Sequence, residues 1–103
     1  MRIFSEDNNR KTAKDQPTTD GRIVRAEYEL DTTKAPQLGL SVRIAVGEGK
    51  VVNTRRMFFS SVDTIVELLS TCKPAQPISL VGKAITVYGP ASYYYGFSIK
   101  NNR

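Results

Sequence analysis

Residues 60–73, SSVDTIVELLSTCK, mark a change in the spacing of hydrophobic residues, which recur at every second position before this stretch and at every third or fourth position within it. The apolar residues that recur at helical spacing are Val62, Ile65, Val66, Leu69 and Cys72. This spacing predicts a helix with one buried face. Ser60, with Asp63 three residues later, predicts the N-cap, and Pro74 prevents the helix from continuing. It is the only helix that the sequence predicts, and Cys72 is interpreted as core filler.

The segments before the helix alternate as strands do. Residues 22–31, RIVRAEYELD, put Val24, Ala26, Tyr28 and Leu30 on one face and Arg25, Glu27 and Glu29 on the other. Residues 38–46, LGLSVRIAV, turn Leu38, Leu40, Val42, Ile44 and Val46 inward and Ser41 and Arg43 outward. A Gly-rich turn, GEG, leads to a third strand within residues 50–59, KVVNTRRMFF. One of its two adjacent arginines must face outward, whatever the register.

Two more strands follow the helix. Residues 78–89, ISLVGKAITVYG, have a break at Gly82 and Lys83, and residues 92–100 read SYYYGFSIK. Alternation puts Tyr93, Tyr95, Phe97 and Ile99 on one face of the last strand and Tyr94 on the other. At the start of the chain, residues 1–21 are expected to form a short strand and a polar flexible loop, and residues 22–103 the folded domain. RKTAK, residues 10–14, is interpreted as a solvated loop or as an arm that clasps nucleic acid.

The charge of the chain favours a polyanionic partner. The net charge is +5, and residues 21–103 carry all of the excess, with eleven Lys or Arg against six Asp or Glu. A basic folded region points first to nucleic acid. The alternative is that this charge only keeps an ordinary surface soluble.

The residue types that are missing exclude several kinds of chemistry. With no histidine and only Cys72, the chain holds neither Ser-His-Asp or Cys-His machinery nor four zinc ligands. VGEGKV lacks the earlier glycine and the final Ser or Thr of a phosphate-binding loop. We therefore expect no catalytic residues, no metal and no cofactor, and an enzyme that uses only carboxylates and lysine is the alternative. A single cysteine and the absence of a signal sequence or an apolar span predict a cytoplasmic protein without membrane contact.

The order of strand, strand, strand, helix, strand, strand is that of the five-stranded OB-fold barrel. In this order, and in YELDTTKAPQLGLSVRIAVGEG and ISLVGKAITVYGPASYYYGFSIKN, the chain resembles OB-fold single-stranded DNA-binding proteins of the bacterial SSB and filamentous-phage gene V types. The resemblance covers residues 22–100 and implies a mainly β, OB-like barrel. It also implies largely sequence-independent binding of single-stranded DNA in replication, recombination or repair, with RNA as an open alternative. A small barrel covers few nucleotides, so we expect a homodimer or higher oligomer.

Binding of single strands combines phosphate contacts with stacking of bases on aromatic rings. The residues predicted to do this are Arg43, Lys50, Arg55, Arg56, Phe58, Lys83, Tyr88 and Tyr94. The stacking residue is expected to be either Phe58 or Phe59, and at least one of the two is expected in the core. The alternative function is a protein-binding module, such as a phage or mobile-element protein that acts on a host factor. Its contact surface would be the row Tyr93-Tyr95-Phe97.

Overall fold

The structure is a computed structural model and describes residues 2–6, 13–33, 35–47, 50 and 52–100. Its elements are, in chain order, β1 (Thr18–Asp31), β2 (Gln37–Val46), β3 (Asn53–Phe59), α1 (Val62–Leu69), a 3-10 helix (Pro77–Leu80), β4 (Ala84–Tyr88) and β5 (Gly96–Ile99). The protein is thus mainly β, with α1 between the third and fourth strands, as predicted. Within the described ranges, no helix is long and apolar enough to cross a bilayer.

The five strands form one open antiparallel sheet in the order β3-β2-β1-β4-β5. The central strand, β1, is shared by its neighbours: residues 18–22 pair with β4, and residues 21–31 pair with β2. It begins at Thr18, earlier than its hydrophobic alternation predicts, because its polar first residues pair with β4. Of the predicted arm, residues 10–12 lie outside the described residues, and Ala13 is buried.

A β-bulge at Val24 changes which residues of β1 face the core. Ile23 pairs with Ile44 and Arg25 pairs with Arg43, so Val24 is the extra residue between them. Ile23 and Ala26 are therefore both buried although they are three residues apart, while Val24 is only half-buried. The prediction that Val24 shares an inward face with Ala26 is wrong, since a bulge inserts one residue into the alternation.

Three phenylalanines at the centre of the core connect the two edges of the sheet. The ring centroid of Phe59, at the end of β3, lies 6.1 Å from that of Phe97 on β5, and Phe4 lies 5.7 Å from Phe97. Phe4 also exchanges backbone hydrogen bonds of 2.7 and 3.0 Å with Phe97, so part of the predicted N-terminal strand is present as an isolated bridge. All three rings are at most 2% exposed.

Helix α1 forms where its spacing predicts, and it buries part of the predicted face. Its N-cap is Ser61, whose hydroxyl accepts from the backbone N–H of Thr64, rather than Ser60. Leu68, Leu69 and Cys72 are buried and Ile65 packs against the core, whereas Val62 and Val66 are exposed. Cys72 is a core residue, as predicted.

The segments on both sides of β4 are less regular than predicted. Residues 77–80 form the 3-10 helix instead of a strand, and Ile78 is exposed. The last strand begins only at Gly96, so alternation does not apply to the three tyrosines before it. Tyr94 is 5% exposed and belongs to the core cluster that includes Phe97. The prediction that Tyr94 points away from the Phe97 face is therefore wrong.

Candidate nucleic-acid interface

Three arginines form a row across the outer face of β1, β2 and β3. Arg25 pairs directly with Arg43, and Arg43 pairs directly with Arg56. Val42 and Ile44, the neighbours of Arg43 on β2, are fully buried, so alternation turns Arg43 to the opposite face, where it is exposed. Adjacent strands lie about 4.8 Å apart, so the row is about 10 Å long. We call Arg25, Arg43 and Arg56 the arginine row.

The bulge of β1 adds a fourth arginine to this face. Arg22 pairs with Ala45, two residues beyond Arg43 on β2, and is exposed. In a regular strand, Arg22 and Arg25 would point to opposite faces because they are three residues apart. The extra residue at Val24 brings both to the outer face. The face therefore holds four arginines together with the carboxylates of Glu27 and Glu29.

The arginines of the row differ in their contacts. Arg25 forms an ion pair with Glu27 at 2.9 Å, and Arg56 forms one with Glu29 at 2.7 Å. Among the residues that the structure describes, Arg43 has no ion-pair partner. The guanidinium of Arg43 is thus the one in the row that is free to bind an anion without breaking an internal ion pair.

Arg56 lies over the ring of Phe58, and Gly39 makes room for that ring. The guanidinium carbon of Arg56 is 5.3 Å from the ring centroid, within the range of a cation–π contact. A Cβ at Gly39 would come within 2.5 Å of the Phe58 ring. Phe58 is half-buried on the outer face and Phe59 is in the core, so at least one of the two is a core residue, as expected.

Arg55 lies on the opposite face of β3 from Arg56 and contacts other residues. It pairs with Ile44, donates to Glu6 at 2.8 Å, and lies 4.7 Å from the ring centroid of Tyr93. Tyr93 in turn packs edge-on against Tyr95, with ring centroids 4.8 Å apart. A groove runs beside the edge of β3 here, lined by Val52, Asn53, Thr54, Arg55, Ala91, Ser92, Tyr93 and Tyr94. Arg55 therefore lies beside this groove at the edge of β3 and is not part of the row.

The other predicted site residues are dispersed. Lys50 is exposed between β2 and β3. Lys83 immediately precedes β4 and Tyr88 ends it, and β1 separates β4 from the strands of Arg43 and Arg56. The hydroxyl of Tyr88 lies 3.1 Å from that of Ser98. Tyr94 offers no ring face for stacking because it is buried in the core.

The structure also brings forward residues that the sequence did not select. Tyr93 is 41% exposed, so in the β4–β5 connection it is Tyr93, and not the predicted Tyr94, that has an exposed ring. Arg25 was predicted to face outward, but its place in the row depends on strand register. Only the pairing of three strands shows that these arginines are neighbours.

A turn at the far end of the β1–β2 hairpin perturbs one carboxylate. The backbone N–H and the hydroxyl of Thr33 donate to Asp31 at 3.1 and 2.9 Å. These two hydrogen bonds, in that order of importance, hold the pKa of Asp31 below its ordinary value, with a smaller contribution from the charge of Arg56. Asp31 is therefore ionised at neutral pH and stabilises the turn.

No protein-family model, curated protein or solved structure matches this chain. Its function must therefore be inferred from the geometry of the surface just described. Among the described residues, no three or more His, Cys, Asp or Glu side chains are grouped as a metal site would require.

Proposed function

We propose that this protein binds single-stranded nucleic acid through the outer face of β2 and β3. The observation that carries the proposal is the arginine row, in which three arginines occupy directly paired positions on adjacent strands. Such a row matches a chain of phosphates better than it matches a single small anion. DNA is favoured over RNA by the resemblance to OB-fold proteins alone, and the role in replication, recombination or repair has the same basis.

We also propose that the open sheet corresponds to an OB-like barrel that is not fully closed by hydrogen bonds between its two edges. Its two edges, β3 and β5, approach each other through Phe59 and Phe97. The N-terminal segment lies between these edges, since Phe4 bonds to β5 and Glu6 to Arg55 of β3. In an OB barrel, the outer face of the second and third strands and the β4–β5 connection bind oligonucleotides. In this protein those elements carry the arginine row and Tyr93.

Binding in this arrangement needs no chemical step. Arg43 contacts phosphate directly, with Arg25 and Arg56 beside it. Phe58, under the guanidinium of Arg56, and Tyr93 supply flat surfaces for bases, where stacking contributes about 1–3 kcal/mol per base. None of these groups reads a base edge in a fixed geometry, so binding is largely independent of sequence. The proposed protein is accordingly a binding protein and not an enzyme.

The experiment that tests this proposal is a titration of fluorescently labelled oligo-dT with the protein, followed by anisotropy. The same titration with duplex DNA is the comparison. Arg43→Ala should weaken binding, whereas Lys100→Ala, which removes a cation paired with Asp20 elsewhere on the sheet, should not. Equal losses in the two variants would show that net charge matters and the arginine row does not.

A second candidate function, binding to another protein, is favoured by the β1–β2 hairpin. Tyr28, Leu30 and Leu38 lie on the core side of this hairpin beyond the end of the core and are 56%, 55% and 67% exposed. The row Tyr93-Tyr95-Phe97 is not such a surface, because Phe97 is fully buried. Salt separates the two functions, since phosphate binding weakens steeply as salt rises.

We propose that the occupant of this hairpin surface is a second copy of the chain. β1 pairs with β4 only through residues 18–22, so among the residues that the structure describes no strand pairs with the second edge of β1 from residue 25 onward. An unpaired edge beside exposed apolar side chains favours strand pairing between chains. Light scattering after size exclusion should then give a dimer for the native protein and a monomer for Leu30→Ser. A native monomer would contradict this.

A further inference from the structure

Two arginines of the row are occupied by carboxylates of the protein itself. Arg56 Nη2 donates to Glu29 Oε1 at 2.7 Å, and Arg25 Nη2 lies 2.9 Å from Glu27 Oε1. Arg43 stands between them and, within the described part of the chain, contacts no carboxylate. The row therefore presents one free guanidinium flanked by two that are already paired.

The contact between Arg56 and Glu29 spans three strands. Glu29 is on β1 opposite Gly39, and Arg56 is on β3, so the ion pair must pass over β2. The hydroxyl of Ser41 accepts a hydrogen bond from Arg56 Nε at 3.0 Å. Arg56 is thus fixed in place by one carboxylate and one hydroxyl and remains 37% exposed.

A carboxylate and a phosphate bind a guanidinium through the same geometry, with N–H groups directed at anionic oxygens. A phosphate that reaches Arg56 therefore competes with Glu29 for the same donors. Both members of the pair are partly exposed, and such pairs contribute only about 0–1 kcal/mol. The internal ion pair consequently lowers the affinity of Arg56 for phosphate, yet it is weak enough for a phosphate to displace Glu29.

We propose that Glu29 and Glu27 are built-in competitors that set the affinity for single strands by occupying the flanking arginines. This inference rests on the proposed function. Binding exchanges each internal carboxylate for a phosphate oxygen on the same guanidinium. One phosphate meets only the free Arg43, whereas a strand held there presents its next phosphates at high local concentration. Competition by the two carboxylates therefore favours the binding of oligonucleotides over that of mononucleotides.

The test compares the affinity of native protein, Glu29→Gln and Glu27→Gln for labelled oligo-dT at one fixed salt concentration. Each glutamine keeps the shape of the side chain and removes the charge. We expect about two- to fivefold tighter binding in each variant, the fold-change that corresponds to the loss of one exposed ion pair. The matched control is Asp20→Asn, which changes the net charge equally but releases Lys100 instead. It should tighten binding by less than either glutamine variant.

A double-mutant cycle separates competition for Arg56 from simple repulsion of the strand. If Glu29 acts by occupying Arg56, the gain from Glu29→Gln should largely disappear in the Arg56→Ala background. A full gain in that background would overturn the inference, because Glu29 would then repel phosphate directly. Competition with unlabelled dTMP gives a second readout. The mononucleotide should fail to displace oligo-dT from native protein, and displacement at similar phosphate concentrations would overturn the inference.

The outcomes also distinguish this inference from the proposal on which it rests. Oligo-dT binding by native protein with no gain in Glu29→Gln beyond Asp20→Asn overturns the competitor role and leaves the proposed function standing. No binding of oligo-dT by native protein or by either glutamine variant overturns both. Circular dichroism of each variant confirms that the comparison is made between folded proteins.

Discussion

Gly39 offers a direct test of how the outer face is packed, because the structure shows which atoms an added methyl group would meet. An alanine Cβ at this position would lie 2.4 Å from the carbonyl oxygen of Phe59 and 2.5 Å from the ring of Phe58. Ordinary van der Waals contact begins at about 3.4 Å, so the methyl group would be about 1 Å too close to both. The ring can rotate away, but the backbone oxygen belongs to the paired strand β3.

We expect Gly39→Ala to lower the free energy of unfolding. Overpacking costs about 1–3 kcal/mol, and the lower entropy of the unfolded alanine chain offsets about 0.4–1 kcal/mol of this. The net loss should be about 1–2 kcal/mol, and each kcal/mol lowers the Tm of a domain of this size by about 4–8 °C. Urea unfolding followed by circular dichroism measures the difference.

The Phe58→Ala background supplies the control for this prediction. With the ring gone, only the clash with the Phe59 carbonyl remains, so Gly39→Ala should cost less there than in the native background. An equal cost in both backgrounds would show that the Phe58 ring does not lie across Gly39. No loss of stability in either background would refute the close approach of β2 and β3.

Three further predictions address binding, the core and the hairpin turn. Arg43→Ala should leave stability unchanged and reduce the slope of log Kobs against log[salt] for oligo-dT by about 0.7, the value for one phosphate contact on a single strand; an unchanged slope would exclude Arg43 from the interface. Phe97→Ala should lower the free energy of unfolding by about 3–5 kcal/mol in urea, because a fully buried ring is removed from the centre of the core; a loss below 1 kcal/mol would contradict that placement. The pKa of Asp31, measured by NMR titration, should lie below its ordinary value and rise partly in Thr33→Ala, since the variant loses the hydroxyl and keeps the backbone N–H. Because folding lowers this pKa, the stabilising contribution of Asp31 is present above the unfolded-state pKa and is lost as the pH falls through the folded-state pKa; an unshifted pKa would contradict the turn.

Local pattern was sufficient to predict the order of the five strands and the helix along the chain. The alternation of β2 places Val42 and Ile44 in the core and Arg43 outside, as the structure does. The change of period after Phe59 locates α1, because a helix must bury one face whatever its neighbours are. Which face is buried depends on where the helix docks, so Leu68 was missed and Val62 was wrongly placed inward.

The errors arose where tertiary contacts override alternation. Nothing in RIVRA marks Val24 as the bulged residue, and the bulge decides that Arg22 and Arg25 share a face. The three tyrosines of residues 93–95 precede β5, so a period of two does not describe them and Tyr94 turns into the core.

The candidate site could be predicted only in part, for a related reason. Arg43 and Arg56 were identified from the sequence, but their direct pairing follows from strand register, which no single strand specifies. Glu29 was visible as an outward residue of β1, yet its contact with Arg56 requires β1, β2 and β3 to be assembled. Lys83 and Tyr88 were predicted for the same interface as Arg43, and the strand order, which the sequence does not give, puts β1 between β4 and β2.

The central claim, that phosphates bind the outer arginines, is tested most directly by the salt dependence of oligo-dT binding to the native protein. Affinity is measured by anisotropy over a series of salt concentrations, with duplex DNA as the comparison. Contact of the row and Arg22 with three or four phosphates predicts a slope of log Kobs against log[salt] of about −2 to −3 for the single strand. Binding to duplex should be weaker at every salt concentration. A slope near zero, or equal affinity for duplex and single strand, would contradict the account.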